Sequence, residues 1–274
     1  MRESGAIVLC ADDYALHPLI DQAVIQLASK ERLSATSCMT TAPGWAGAAP
    51  ALVPLRPQLA VGRHFNLTES HGGVYPALGL KQALVQTYTQ RGRARAPHWR
   101  ALLRTQLDAF EAAMGTPPDF IDGHQHVHQL PGVRQALQDE ITTRYAAHER
   151  PWLRSTAPAG QLWRAPKALT IALLGGWAAT RCWQRAGLHT NRGFGGVYGF
   201  DAPTPEAYGV HMQGWLAQVR AGSLMMCHPA AGPVPGDAIA AARTVEYAYL
   251  RSDDFAHALQ AQGLHIHQGA RLPG

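Results

Sequence analysis

AIVLCADDY, residues 6–14, is an apolar run that ends in two adjacent carboxylates. Residues 6–11 are uninterrupted small and apolar side chains, a pattern that is typical of a buried strand. Asp12 and Asp13 then place like charges side by side, which is costly unless a cation or a proton-transfer role relieves the repulsion. A cap for the next helix, just ahead of Pro18, is the alternative. The run therefore predicts a buried strand with a polar site or a helix cap at its end.

Short apolar segments alternate with segments of helical periodicity along the rest of the chain. Further strands are predicted over residues 35–40, 59–67, 119–122, 152–155, 223–227 and 264–267. Helices are predicted over residues 18–27, 45–52, 81–90, 99–114, 132–148, 162–186, 206–220 and 238–262. About seven strands alternating with helices indicate an α/β fold with a mainly parallel sheet.

Polar side chains follow several of these predicted strands. They are Asp12, Asp13, His64, His124, Arg154 and His228. A doubly wound open sheet would spread these strand ends along a line, although its crevice could still gather some of them. A (β/α) barrel brings all of them to one face, where the active sites of such barrels lie. We therefore predict a deformed, TIM-like (β/α) barrel that forms a single domain over residues 1–274.

The composition excludes two classes of protein. Of the 274 residues, 46% are hydrophobic and 16% are charged, which rules out intrinsic disorder. The formal net charge is +5, and five arginines lie between Arg91 and Arg104. They form either a solvated surface or a rim that binds anions. Because the chain has no zinc-finger spacing and no RNA-binding signature, we predict no nucleic-acid partner.

The cysteines and the apolar stretches bear on the compartment. Cys10, Cys38, Cys182 and Cys227 are widely spaced, which argues against a disulfide framework and fits a reducing compartment. The N-terminus lacks the apolar core of a signal peptide. The most apolar stretch, residues 169–179, is too short to span a bilayer. We therefore expect a cytoplasmic protein without a transmembrane segment.

DGHQHVH, residues 122–128, is the strongest chemical signal in the chain. It follows a predicted strand, and in an extended chain His124, His126 and His128 lie on one side. Two or three imidazoles could then converge on one ion. A surface histidine cluster is the alternative, but the Asp-Gly turn directly after a strand favours a metal site.

Three weaker signals accompany this motif. His64 lies in an apolar strand, where a histidine on its own fits a core position. His228 precedes Pro229, which fixes the backbone at the strand end, and on its own it fits a structural or a functional role equally well. NRGFGGVY, residues 191–198, is rich in glycine and aromatic side chains. It resembles a surface for sugar stacking more than a phosphate-binding loop.

Together these motifs resemble the YdjC-like (ChbG/HpnK) family of carbohydrate deacetylases. The matching segments are residues 11–14, 62–68, 122–128 and 227–229, and their order covers nearly the whole chain. The resemblance implies a barrel that hydrolyses the acetamido group of an N-acetylated sugar, with a water on one divalent ion, Mg²⁺ or Zn²⁺, attacking the amide. The implied substrates are N-acetylglucosamine-type oligosaccharides or lipid-linked glycans, and a homodimer fits the family.

The resemblance also assigns roles by position. The implied metal ligands are Asp13, His64 and His124. The implied general base is Asp12, and His228 is the acid or electrostatic partner. The residues expected near the sugar are Arg154, Phe194 and Tyr198. Those expected to orient the metal ligands are His126 and His128.

Two positions depart from the family pattern. Ala15 follows ADDY where the family usually has glycine, and a positive φ there would strain an alanine. Arg63 replaces the usual apolar neighbour of His64, which leaves the chemistry of the site entrance open. Two other functions also fit the residues. One is a metal-dependent phosphoesterase that uses the arginine cluster, and the other is a non-catalytic sugar-binding protein with a structural metal.

Overall fold

A computed structural model describes residues 5–89 and 96–273. Its strands are β1 Gly5–Tyr14, β2 Ala35–Cys38, β3 Ala60–Phe65, β4 Phe120–Gly123, β5 Trp152–Leu153, β6 Phe194–Gly195, β7 Leu224–Cys227 and β8 Leu264–Ile266. The strands are parallel and lie in the order β5-β4-β3-β2-β1-β7-β6, while β8 pairs with the beginning of β1.

Helices follow most of the strands. The α-helices in the described part of the chain are α1 Pro18–Ala28, α2 Trp45–Ala48, α3 Leu80–Tyr88, α4 Ala96–Met114, α5 Val133–Arg144, α6 Pro166–Ile171, α7 Trp177–Arg185, α8 Pro205–Leu216, α9 Ala240–Leu250 and α10 Asp253–Ala261. Turns of 3₁₀-helix cover Ala49–Leu55, His124–Gln129 and Leu162–Arg164, and a π-helical turn covers Ala172–Gly176.

The sheet curls toward closure between its two ends. Leu153 forms a parallel bridge with Thr190, and Pro158 forms one with Phe194, so the chain after β5 reaches the strand at the other end of the sheet. The predicted deformed (β/α) barrel is therefore confirmed, as a curled half-barrel of parallel strands with helices. Within residues 5–89 and 96–273, no helix combines the length and the apolar character needed to cross a membrane.

Alternate strand residues fill the inside of the curled sheet. This inner cluster contains Val8, Cys10, Ala35, Ala60, Phe120, Trp152, Phe194, Leu224 and Met226. Phe120 stacks on Trp152 with 4.3 Å between ring centroids. Gly62 makes room for this stack, because a Cβ at residue 62 would lie 2.4 Å from the Phe120 ring. Because side chains repeat with a period of two, the next inward positions on several strands are the polar residues at the carboxyl edge.

β1 changes register at its acidic pair. Ala11 pairs with Thr36, but the next pair joins Tyr14 to Cys38, so β1 carries one extra residue there. Asp13 has φ 70°, and Ala15 has φ 74°, the left-handed conformation that glycine favours. Asp21 accepts a hydrogen bond from the Ala15 backbone nitrogen at 2.6 Å, which holds this turn. The bulge turns both carboxylates toward the site.

Several predicted elements are shorter or interrupted. The predicted helix over 45–52 begins as α2 and continues as a 3₁₀-helix, and the predicted helix over 238–262 divides into α9 and α10. The predicted helix over 162–186 breaks at Gly175, which has φ 128° and packs so closely that a Cβ would lie 2.6 Å from the Gln129 carbonyl oxygen. The segment predicted as a glycine-rich loop contributes the short strand β6.

Candidate active site

The carboxyl edge of the sheet gathers a buried layer of charged side chains. Asp12, His64, Asp122 and Arg154 continue the inward series of β1, β3, β4 and β5, and each is at most 2% exposed. Charged groups are rarely buried to this extent unless they are paired or bind an ion. The polar residues that the sequence placed at the ends of the strands therefore do meet in one region.

Asp13, His64 and His124 form a group that could hold a metal ion. Their donor atoms lie within 4.8 Å of one another. His64 Nε2 is 3.5 Å and His124 Nδ1 is 3.1 Å from Asp13 Oδ1, so both imidazoles point at the same carboxylate oxygen. Two imidazoles and a carboxylate are a donor set that suits zinc and other divalent transition metals. The residues present therefore fit a divalent cation.

Two further charged residues orient these donors. Asp122 Oδ1 lies 2.7 Å from His64 Nδ1, which leaves Nε2 facing Asp13. A carboxylate behind a histidine in this way is common at metal sites. Arg243 Nη2 donates to Asp13 Oδ2 at 2.7 Å. Burial opposes ionisation of Asp13, but Arg243 and the two histidines outweigh it and lower the pKa of Asp13 well below its ordinary value.

Asp12 forms a buried ion pair with Arg154. Arg154 Nη1 donates to Asp12 Oδ2 at 2.7 Å and Nη2 donates to Oδ1 at 2.6 Å. Burial raises the pKa of Asp12, but Arg154 outweighs this effect and lowers that pKa below its ordinary value, so Asp12 is ionised at neutral pH. Cys10, Asp12 and Asp122 could also hold an ion by distance alone, but Arg154 Nη2 lies within 2.9 Å of an atom of each, so a guanidinium cation already contacts this group.

His228 stands beside Asp12 at the end of β7. Its Nε2 lies 3.9 Å from Asp12 Oδ2, and its ring meets the edge of Phe200 with 5.2 Å between centroids. Burial lowers the pKa of His228 to about 4, so the imidazole is neutral at pH 7. The His228 backbone nitrogen donates to Glu246 Oε2 at 2.6 Å.

The expectation that His124, His126 and His128 share one side of an extended chain is wrong. β4 ends at Gly123 and the chain turns into a 3₁₀-helix, in which Gln125 and His126 have φ of 50° and 60°. Only His124 therefore reaches the metal group. His126 lies in the cavity wall with its ring against the edge of Phe194, and burial lowers its pKa well below the ordinary value.

His128 points away from the cavity. Its ring is fully buried, stacks on Trp183 at 5.8 Å, and contacts the Arg154 carbonyl oxygen through Nε2 at 3.0 Å. His128 thus supports the backbone of the residue that pairs with Asp12. Neither His126 nor His128 has a contact with a metal-group residue among the hydrogen bonds of the described chain.

The three residues expected near the sugar lie behind the cavity wall, which departs from that expectation. Arg154 is fully buried, and its guanidinium forms ion pairs with Asp12 and Asp122. Phe194 belongs to the inner apolar cluster. Tyr198 donates its hydroxyl to Glu246 Oε1 at 2.6 Å, and the residue that reaches the cavity from this segment is Phe200.

A cavity of about 810 Å³ opens over the metal group. Six of the fourteen histidines line it, namely His17, His64, His71, His124, His126 and His228. Apolar side chains form much of the remaining wall, including Leu80 and Leu84 from α3 and Ile171 and Leu174 from the segment around α6. A cavity of this size suits a small-molecule ligand of drug-like dimensions.

Several of these residues lie outside the motifs that the sequence predicts to be functional. His17 caps α1 through Nδ1, and His71 lies 2.7 Å from Thr41 Oγ1 in a loop, so neither belongs to a motif. Arg243 and Glu246 are buried charges on α9. Their spacing of three residues among Ala242, Tyr247 and Leu250 places charge on the apolar face of a helix, a signal that was available in the sequence.

The arginines of the sequence cluster do not form a rim around the cavity as far as the structure describes them. Arg100 and Arg104 pair with Glu140 on α5, and neither lines the cavity. Arg91, Arg93 and Arg95 lie outside the described residues. Arg63 faces away from the cavity and donates to Gln106 Oε1 at 2.7 Å, so its effect on the entrance is indirect.

A curled parallel barrel with an Asp–His–His group at its carboxyl edge defines an α/β barrel protein with a candidate metal site. The chain belongs to the YdjC-like protein family, whose model matches residues 6–261. The match covers the strands β1 to β7 and therefore every residue of the site described above.

Curated relatives match about half of the chain. A carbohydrate deacetylase of Mus musculus is 27% identical over 151 residues, which are 49% of this chain and 46% of that protein. A chitooligosaccharide deacetylase of Serratia marcescens is 31% identical over 140 residues, 46% of this chain and 52% of that protein. The aligned part thus spans about half the length of these relatives.

One solved structure resembles the fold over its full length. It is described as a cellobiose-phosphate cleavage protein of Enterococcus faecalis, with a TM-score of 0.68, 15% identity and 98% coverage of both chains. At this identity the likeness shows the fold alone.

Proposed function

We propose that this protein is a metal-dependent hydrolase that removes the acetyl group from an N-acetylated sugar. The observation that carries the proposal is the meeting, in one cavity, of the Asp13–His64–His124 group with Asp12 and His228. Amide hydrolysis needs a polarised carbonyl, a base for water and a proton for the leaving amine. The two curated relatives, named carbohydrate and chitooligosaccharide deacetylases, support the same chemistry.

Asp13, His64 and His124 are the residues that would hold the divalent ion. When bound, such an ion supplies Lewis-acid polarisation of the amide carbonyl. Asp122 and Arg243 keep the donor atoms in place by holding His64 Nδ1 and Asp13 Oδ2. We propose zinc ahead of magnesium, because two imidazoles are softer ligands than the oxygens that magnesium prefers.

Asp12 is the proposed base. Arg154 donates hydrogen bonds to both of its carboxylate oxygens, so the carboxylate stays ionised and its orientation is fixed. The ion pair with Arg154 also lowers the affinity of Asp12 for a proton. Asp12 therefore readily passes a proton received from the attacking water to a neighbouring base. His228, with Nε2 at 3.9 Å, is the nearest imidazole to Asp12 Oδ2 among the ion pairs of the described residues.

His228 is the proposed donor to the leaving nitrogen. Because its imidazole is neutral at pH 7, the proton that it donates has to be acquired during the reaction. The water oxygen bonds to the carbonyl carbon of the amide while the water gives up one proton to the Asp12–His228 pair. The C–N bond then breaks, and the pair returns that proton to the amine. The ionised Asp12 stabilises the imidazolium in between, as a carboxylate does beside a catalytic histidine.

The walls of the cavity favour a sugar that carries an apolar group. Leu80, Leu84, Ile171 and Leu174 line the same cavity as the metal group, and Leu80 is 40% exposed. His126 also lines the cavity, and its buried Nδ1 has no hydrogen-bond partner in the described chain. We therefore propose a lipid-linked or other apolar N-acetylglycoside over a long neutral oligosaccharide.

Acetate release tests the proposal directly. The purified protein is incubated with zinc or magnesium and with N-acetylglucosamine oligomers and alkyl or lipid-linked N-acetylglucosaminides. We expect acetate release that a chelator abolishes. Asp12→Asn should bind metal as the wild type does and lose about 10²- to 10⁴-fold in kcat. Metal binding without acetate release from any of these compounds would contradict the proposal.

A further inference from the structure

One helix contacts both the metal group and the proposed proton donor. α9 carries Arg243 and Glu246, which are three residues apart and therefore on one face of the helix. Both side chains are buried, with Arg243 2% and Glu246 0% exposed. Arg243 holds Asp13, as described above. Glu246, one turn further along, reaches the chain at the end of β7.

Glu246 receives two short hydrogen bonds from different segments. Its Oε2 accepts from the His228 backbone nitrogen at 2.6 Å, and its Oε1 accepts from the Tyr198 hydroxyl at 2.6 Å. Hydrogen bonds to a buried carboxyl group are among the stronger ones in proteins. Burial also raises the pKa of Glu246 to about 7. The carboxyl group thus ties the ends of two loops to one helix.

Both of these loops contribute a ring to the cavity wall. Phe200 follows Tyr198 by two residues, has φ 62°, and meets the His228 ring edge-on. Lys167 reinforces the arrangement, because its Nζ donates to the Tyr198 carbonyl oxygen at 2.7 Å and lies 4.4 Å from the Phe200 ring centre. The position of the His228 ring therefore depends on contacts that converge on Glu246.

We propose that Glu246 is a positioning residue that holds His228 at its distance from Asp12 and from the metal group. The inference rests on the proposed function only for the role of His228 in proton transfer. Arg243 holds Asp13 in the same way, through an ion pair. A single turn of α9 therefore sets the spacing between Asp13 of the metal group and His228.

The proposed role requires hydrogen-bond acceptance by residue 246, and it does not require a negative charge. A glutamine can accept from the His228 nitrogen through its oxygen and donate its amide to the Tyr198 hydroxyl, which can accept as well as donate. An alanine removes both contacts and leaves two buried donors unpaired. Glu246→Gln therefore removes the negative charge but keeps the hydrogen bonds, whereas Glu246→Ala removes both.

The first experiment is kinetic. We expect Glu246→Gln to keep kcat within about threefold of the wild type, and Glu246→Ala to lower kcat about 100-fold with KM changed less than about threefold. When His228 is already alanine, Glu246→Ala should lower kcat little further, because both changes remove the same proton transfer by His228. An undiminished loss in that background would mean that Glu246 acts on stability alone and would overturn the proposal.

The second experiment does not depend on turnover. The imidazole signals of His228 in the NMR spectrum, assigned with His228→Ala, should shift or broaden in Glu246→Ala and stay in place in Glu246→Gln. Glu206→Ala, at an exposed residue of α8, is the matched control and should leave them unchanged. If Glu246→Ala does not fold, Glu246→Asp, which shortens the side chain, should move the same signals.

The two experiments distinguish the positioning role of Glu246 from the proposed function of the protein. Absence of acetate release from the wild type counts against the proposed function, whereas unmoved His228 signals in Glu246→Ala or Glu246→Asp overturn the positioning role whatever the activity.

Discussion

Arg154 donates to both carboxylate oxygens of Asp12, at 2.7 and 2.6 Å, although the two residues are 142 positions apart in the sequence. Neither side chain is more than 3% exposed. A pair buried in this way contributes more to orientation than to stability, because desolvation offsets much of the attraction. Removing one partner, however, destabilises the folded state strongly, because it leaves the other charge buried without a counter-charge.

Arg154→Met should therefore destabilise the protein by about 3–5 kcal/mol. Asp12 and Asp122 both lose their cationic partner, and the pKa of Asp12 should rise. Urea unfolding of the two proteins at pH 7 measures the difference. Arg185→Met, on the exposed face of α7, is the control and should change stability by less than about 0.5 kcal/mol. Equal stabilities of wild type and Arg154→Met would contradict the buried ion pair.

His64→Ala and His124→Ala should each abolish tight binding of a divalent cation. Each change removes one of three donors of the group, and a two-donor site binds zinc far more weakly. Isothermal calorimetry with zinc and with magnesium measures the affinities, and we expect zinc to bind more tightly. His148 is exposed in the turn that follows α5, so His148→Ala should bind as the wild type does. Unchanged zinc affinity in His64→Ala would remove this group from consideration.

Ala15→Gly should stabilise the protein slightly. Ala15 has φ 74°, a conformation that costs an alanine about 1–2 kcal/mol and a glycine almost nothing. The greater freedom of glycine in the unfolded chain offsets up to about 1 kcal/mol of that gain. We expect a rise in Tm of no more than about 4 °C by calorimetry. Ala178→Gly, in the exposed part of α7, should lower Tm instead, and the same sign for both would contradict this explanation.

Longer alkyl chains on the sugar should lower KM. Each CH₂ buried against the apolar wall is worth up to about 0.8 kcal/mol, which is roughly fourfold in affinity. Methyl, butyl and octyl N-acetylglucosaminides test this trend. Leu84→Ser should weaken it, because Leu84 lines the cavity, whereas Leu173→Ser, at an exposed residue outside the lining, should not. A KM independent of chain length would exclude an apolar aglycone from this cavity.

Glu246 should make folding stability fall as the pH rises. Burial raises its pKa from 4.5 to about 7, in spite of hydrogen bonds from Tyr198 and the His228 nitrogen and the charge of Arg243. The folded state therefore holds a proton that the unfolded state releases between pH 4.5 and 7. The protonated Glu246 thus contributes on the order of 3 kcal/mol to the free energy of unfolding. This contribution is complete below pH 4.5 and is lost as the pH rises through 7.

The comparison of wild type with Glu246→Gln isolates that contribution. Urea unfolding at several pH values from 5 to 8 should show the stability of the wild type declining relative to the variant. Parallel curves for the two proteins would mean that Glu246 ionises with an ordinary pKa.

The sequence predicts the inner polar layer because a strand has a period of two. Once residues 6–11 are a buried strand, Asp12 continues the inward series of Val8 and Cys10, and the same reasoning places His64 on β3. It fails for residues 124–128, because Gln125 and His126 adopt a left-handed conformation that side chains other than glycine rarely take. A regular strand pattern cannot reveal such a turn.

Tertiary contacts decide the remainder of the site. The spacing of Arg243 and Glu246 among apolar residues indicates buried charges, but only the structure shows that they hold Asp13 and the His228 nitrogen. His71 enters the cavity through its loop and the Thr41 contact, and no spacing in the chain predicts this. Arg154 was correctly placed at a strand end, but only the structure shows that Asp12 and Asp122 use its charge.

The pairing of β1 has a consequence for the order in which the molecule forms. β1 pairs with β2 early in the chain, but also with β7 and β8, more than 200 residues later. Contacts so distant in sequence form slowly, and a chain leaving the ribosome cannot make them until β7 and β8 have been synthesised. Asp12 and Asp13 are thus synthesised more than 200 residues before β7 and β8, the strands that complete the pairing of β1.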